Sequence, residues 1–284
     1  MGVEFADFSS FFVNFAPQIQ QIIMKKVLFI NHEISPFVPD SELAVMGRRL
    51  PQSVQDSGCE IRTFMPKWGH INERRGQLHE VQRLSGMNII INDTDHPLII
   101  KVASIPQTKI QVYFIDNEEY FIKGKSDDDV PTTSCGERAI FFARGVIETM
   151  KKLRWSPDII HCQGWMSAFV PLYIKQAYQD EPSVCNAKIV SSLFNSTGNI
   201  VLEEDLKQRI AFKGVTVDSL SDYSDNFGMT DLARLAIRNS DGVIAGSPDL
   251  KESIMKEIEA SDTKFLAYPG EDFKDAYLDF YDTL

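Results

Sequence analysis

The sequence has no C-x-x-C pair, no G-x-G-x-x-G, no G-x-S-x-G and no apolar run near the ~20 residues that span a bilayer. Each absence closes a class of function. The four cysteines, Cys59, Cys135, Cys162 and Cys185, are too widely spaced for a zinc or redox motif and read as reduced, mostly buried thiols. The five histidines are scattered without the i, i+4 pairing of a helical zinc site, so no metal is expected. Without the glycine fingerprint or the nucleophile elbow, neither a dinucleotide cofactor nor serine-hydrolase chemistry is expected, and no other cofactor is implied. Excess basic charge is also missing: 29 Lys and Arg stand against 40 Asp and Glu, a net charge of -11. Nucleic-acid binding needs clustered cations, so it is not expected. Residues 1–23 are apolar and aromatic but hold no Lys or Arg to begin a secretory signal, and Ala6 stands where a myristoylation pattern wants Ser or Thr. A cytoplasmic protein without membrane contact is the expectation.

What is present is enough apolar material, 43% over 284 residues, to bury a full core. Residues 27–30 form a short continuous apolar run, the signature of a strand covered on both faces of a parallel sheet. Leu43, Met46, Leu50 and Val54 then recur at helical spacing until Ser57 and Gly58, and 61–65 reads as the next strand. This is a βαβ unit. The runs 88–91, 98–104 and 111–115 follow with no helix between them and suggest an antiparallel insertion. The helical period returns over 137–153, then come a strand at 158–161, a helix at 165–178, a strand at 188–193, a helix at 231–238, a strand at 242–245 and a helix at 248–259. The fold expected is a doubly wound, Rossmann-like, mostly parallel α/β sheet with an antiparallel insertion. Met24 begins the pattern and Glu259 ends it. That predicts a domain over 24–259, an extension at 1–23 and an aromatic tail at 260–284 that packs loosely or contacts another chain; an acidic patch at 126–129 reads as a solvated loop.

Ligands of open α/β sheets bind beyond the carboxyl ends of the strands. The segments there carry a resemblance. HEISPF at 32–37, the Leu50-Pro51 pair, MPKWG at 65–69, ERAIFFARGVIE at 137–148 and PDIIHCQGWM at 157–166 follow in order. They resemble the S-E-V-A-P-F, L-P, M-P-K-Y-G, E-R-F-x-F-F-x-R-A-x-x-E and P-D-I-V-H-A-H-D-W-H motifs of the glycogen/starch synthase family of retaining glycosyltransferases. The resemblance implies one half of a two-lobed fold that transfers glucose from ADP-glucose to an α-1,4-glucan, with ADP-glucose and α-glucan as partners.

The departures from the family pattern are specific. Its K-T-G-G-L loop aligns with Pro39, Asp40, Ser41, Glu42 and Leu43, which remove a cation and both glycines and add two carboxylates. Phosphate binding by that loop is therefore not expected. Gln163, Gly164 and Met166 replace a histidine, an aspartate and a histidine, T-I-H-N becomes 192–195, SLFN, and Arg234 stands where many members have lysine. The chain ends at Leu284, short of the second lobe that the resemblance implies. The expectation is a domain with reduced or absent activity in isolation, a possible pseudoenzyme that gains the other lobe from a separate chain or self-associates, or alternatively a non-catalytic glucan-binding or regulatory module.

The candidate residues are weighed one by one. His161 is the catalytic candidate, either touching the transferred glucose or hydrogen-bonded into the core. Glu33 is a ligand contact or a helix-capping carboxylate; Trp165 stacks on a sugar or fills the core; Asn195 and Arg234 complete the ligand-binding set. His161, Trp165, Glu33 and Asn195 are expected to converge on one pocket suited to a neutral sugar.

Overall fold

The computed structural model describes residues 24–122, 135–195, 200 and 202–284. The leading segment and the acidic patch at 126–129 lie outside the described residues. Strand β1 (Lys26–Asn31) is buried from Val27 onward, with Leu28 and Ile30 in one core and Val27 and Phe29 in the other. That alternation is what a strand covered on both faces requires. Helix α1 (Glu42–Asp56) crosses to β2 (Glu60–Pro66), which pairs in parallel with β1. A short helix α2 (Glu73–Gly76) and strands β3 (His79–Glu80), β4 (Met87–Ile91) and β5 (Thr94–Ser104) lead to β6 (Gln111–Asp116). The chain continues through α3 (Cys135–Leu153), β7 (Ile159–Gln163), α4 (Phe169–Gln176), β8 (Lys188–Leu193), α5 (Leu206–Ile210) and α6 (Met229–Arg238). It closes with β9 (Gly242–Ala245), α7 (Glu252–Glu259), β10 (Lys264–Leu266) and α8 (Phe273–Asp282).

Among the described residues the strand order is β10-β9-β8-β7-β1-β2-β6-β5-β3, with β4 beside β5. All neighbours from β10 to β6 are parallel, and β5 pairs antiparallel with β6, β4 and β3. The fold is the expected mostly parallel α/β sheet. The insertion is narrower than its sequence suggests, because β6 turns back against β5 and rejoins the parallel sheet beside β2. Asn92 and Asp93, both at positive φ, make the two-residue turn from β4 to β5. No helix among the described residues is long and apolar enough to cross a membrane.

Several boundaries differ from the sequence reading, and three bear on the site. The helix expected over 165–178 spans Phe169–Gln176, with Trp165–Ser167 in a separate 3-10 turn. Strand β7 runs two residues beyond His161, since 159–163 pairs with β1 on one side and β8 on the other. The helix expected from 248 begins at Glu252, so Pro248 precedes it.

The tail does not pack loosely. β10 extends the sheet past Glu259, and α8 lies against α1 on one face, burying Phe273, Tyr277, Phe280 and Tyr281 with Val27, Phe29, Leu50 and Ile159. The Arg49 guanidinium stands 5.2 Å from the Phe273 ring centroid. The helical period was hard to see because aromatic residues carry it. Phe280→Ala is expected to cost about 3–5 kcal/mol in urea unfolding, the range for emptying a buried aromatic site. A loss within about 0.5 kcal/mol, as at a surface position, would show that α8 is not part of the core.

Candidate functional site

The chain leaves β1 toward β2, while β7 lies on β1's other side, so the crevice between the carboxyl ends of β1 and β7 is the topological switch point. Beside it is a cavity of about 100 Å³ under the starts of α6 and α7, lined by Gly164, Trp165, Phe194, Thr230, Lys251 and Ser253 among others. Its wall is mainly apolar, with serines, Thr230 and Lys251 among the lining residues. A hexose needs such a mixture, an aromatic face with a few hydrogen-bonding groups.

The sequence candidates are not brought together there. His161 is fully buried within β7 on the α8 side. Its Nδ1 lies 2.5 Å from the Tyr281 hydroxyl and its Nε2 2.7 Å from Ser192 Oγ, with the Tyr277 ring stacked 5.7 Å away. Both nitrogens are satisfied inside the core. Burial alone pushes the His161 pKa down to about 3, so the imidazole is neutral. Its side chain takes the α8 face of the sheet, whereas Cys162, the next residue of the same strand, is among the residues that line the cavity.

Glu33 accepts a hydrogen bond from Ser41, and Ser41 caps α1 by accepting from the Ala44 N–H at 2.9 Å. The helix-capping reading of Glu33 thus has geometric support, acting through Ser41. Asn195 ties two loops together, its amide donating to the Asp249 carbonyl and accepting from the Lys251 N–H at 3.0 Å. Arg234 is paired bidentately with Glu257, at 2.7 and 2.6 Å. That pairing holds the Glu257 carboxyl below its usual range and raises Arg234. Of the five candidates only Trp165 lines the cavity.

The loop before α1 is closed on itself. Ser35 donates to Asp40 at 2.7 Å, Ser247 donates to Glu42 at 2.6 Å, and Ser41 takes the helix cap. The positive end of α1 is already served by the chain's own side chains. Gly47 lets α1 approach the end of β1: a Cβ there would stand 2.5 Å from the Glu33 carbonyl oxygen.

Several groups were missed by the sequence reading. Thr230, Lys251 and Ser253 reach the cavity from the starts of α6 and α7, in segments with no motif to mark them. At the switch point, His32 and Gln163 are 2% and 0% exposed, and His32 Nδ1 and Gln163 Nε2 lack a hydrogen-bond partner among the described residues. Both follow or end a strand, the one signal that was available.

Comparison with known proteins adds to this geometry. Residues 26–265 match the family described as starch synthase catalytic domain. The glycogen synthase of Chlorobaculum parvum is 35% identical over 240 residues, 83% of this chain and 48% of that protein. That of Chlorobium phaeovibrioides is 40% identical over 174 residues, 60% of this chain and 36% of its own length. The catalytic domain of starch synthase IV from Arabidopsis thaliana, bound to ADP and acarbose, has a TM-score of 0.71 at 18% identity, covering 86% of this chain and 51% of that one. The chain therefore spans less than half the length of these two curated relatives.

The buried imidazole sets a pH test. Because the folded-state pKa of His161 is depressed below the ordinary 6.5, its stabilising effect is complete above pH 6.5 and is lost as pH falls toward about 3. The slope is about 1.4 kcal/mol per pH unit. The stability gap between the wild type and His161→Gln is expected to narrow by about 2 kcal/mol from pH 7 to pH 5 in urea unfolding. A gap that does not change with pH would mean that His161 is accessible to protons in the folded state.

Proposed function

The chain belongs to the glycogen/starch synthase family, and from that premise we propose that it handles the glucan side of glucose transfer from ADP-glucose to an α-1,4-glucan. The observation that carries this reading is the contrast between its two candidate ligand regions. The cavity beside Trp165 offers an aromatic ring, hydroxyls and one lysine, with no carboxylate among its lining residues, a set that a sugar can use. The loop before α1 offers Glu33, Asp40 and Glu42 where a sugar nucleotide would bring phosphate. A carboxylate ~6 Å from a phosphate charge costs on the order of 3 kcal/mol at an effective dielectric of ~20. One such repulsion removes most of the ~4 kcal/mol that separates micromolar from millimolar binding.

In this reading the bond from the glucose anomeric carbon to ADP breaks and a bond to the glucan hydroxyl forms with retained configuration. Contacts to the phosphates come from outside these residues. The self-contained loop and the sealed His161 also favour a second reading, a non-catalytic glucan-binding or regulatory module of glycogen metabolism. A transfer assay with ADP-glucose and glycogen separates them: activity that appears only on adding the separately produced second lobe of a relative supports the first.

Calorimetry on the purified chain is expected to give a dissociation constant for ADP-glucose of ~1 mM or weaker. Maltoheptaose is expected to bind at millimolar strength, weakened several-fold by Trp165→Ala through loss of the stacking face. Micromolar affinity for ADP-glucose would overturn the assignment to the glucan side.

A further inference from the structure

A second cavity, of about 750 Å³, shares no lining residue with the one beside Trp165. It opens between the β4–β5 hairpin, α3 and the turn that follows α5. In β4, Ile89 and Ile91 point into the core, which turns Asn88 and Ile90 outward to this cavity. The opposite wall is a tight turn closed by Phe212 and Val215 and pressed onto the end of α4, where a Cβ at Gly214 would stand 2.5 Å from the Gln176 carbonyl oxygen. That close fit fixes where Phe212 and Lys213 stand.

Arg144 lines the cavity from α3 with 5% of its surface exposed. Its Nη1 donates to the Ile90 carbonyl at 2.5 Å, its guanidinium carbon lies 3.7 Å from the Phe212 ring centroid, and it bonds the Tyr178 hydroxyl. All three neighbours are neutral, and Nε has no partner among the described residues. The buried ammoniums of Lys67 and Lys207, by contrast, each meet a carboxylate, at 3.1 and 2.9 Å. A buried cation without an anion is costly. Lys213 adds a second positive charge, its Nζ 5.1 Å from the same ring, and it too has no ion pair among the described residues. Of the carboxylates in the wall, Glu148 is spent on Lys151 and the Tyr178 hydroxyl, at 2.7 and 2.8 Å, which leaves Asp93 at the hairpin turn against two cations.

We propose that this cavity is a second ligand site and that it takes a phosphorylated sugar, the phosphate facing Arg144 and Lys213 and the hydroxyls facing Asn88, Asn92 and Gln208. Phosphate supplies the anion that Arg144 lacks, through charge-assisted hydrogen bonds. Carboxamides both donate and accept, as a set of sugar hydroxyls requires, and the exposed Ile90 side chain offers an apolar contact to a pyranose ring. A nucleotide fits less well, because Phe212 is already enclosed by Arg144, Lys213, Tyr173 and Tyr178 and has no face for a base. The assignment is independent of the glucan reading, which concerns the other cavity.

The test follows the Arg144 Nε–H and the Trp165 indole N–H by NMR on the full chain, titrated with glucose 6-phosphate, inorganic phosphate or glucose to ~10 mM. Glucose 6-phosphate is expected to shift Arg144 saturably, with inorganic phosphate weaker by about tenfold and glucose without effect on Arg144. Lys213→Asn drops the charge but keeps a residue that tolerates the φ of +50° there, and it is expected to weaken glucose 6-phosphate by about tenfold. This exposed turn position keeps the test available if a change at Arg144 itself prevents folding. An unmoved Arg144, or saturable binding that Lys213→Asn leaves unchanged, would overturn the site. Equal affinity for inorganic phosphate would overturn a sugar phosphate as its ligand. Trp165 reports on the other cavity in the same spectra, so failure here and failure of the glucan reading are told apart.

Discussion

Strand β1 is paired on both edges and covered on both faces, and this one constraint places the chemistry of the molecule. Its apolar run from Val27 to Ile30 supplies side chains to two cores at once, so any polar group it carries is driven to its end. Asn31, His32 and Glu33 are the result. Asn31 is drawn into local bonds, accepting from the Glu33 N–H and donating to the Leu43 carbonyl. His32 is left buried at the strand's end, its ring packed against Trp165 and Gly164. The same burial applies to β7, where an imidazole inside the strand can persist only neutral and fully bonded.

Aromatic residues of the last helix meet that second demand. Tyr281 gives His161 a hydroxyl partner, Tyr277 a ring face, and Phe273 and Phe280 complete the apolar layer beside α1. Because the histidine and the helix satisfy each other, the tail belongs to the fold, and His161 belongs to the core rather than to the cavity. The charge pattern follows a similar economy. Arg234 is neutralised by Glu257, Lys101 by Glu73 and Asp116, and the carboxylates before α1 are held by serine hydroxyls. Lys251 is a cavity-wall cation with no ion pair among the described residues.

The sequence by itself determined the fold class and the family, because periodicity and an ordered series of motifs are spread along the chain and survive local substitutions. It also exposed the changed loop at 39–43, since loss of a lysine and two glycines is legible without coordinates. Tertiary structure alone decided which strand-end residues line the cavity. Two extra residues of pairing in β7 moved His161 from the expected strand end into the strand interior, and strand ends are set by hydrogen bonds to neighbours far away in sequence. Asn195 and Arg234 found partners 54 and 23 residues away, at Asp249 and Glu257, which no local pattern announces. That no described residue reaches His32 Nδ1 is likewise visible only in the packed structure, where the imidazole fills the space that Gly164 leaves.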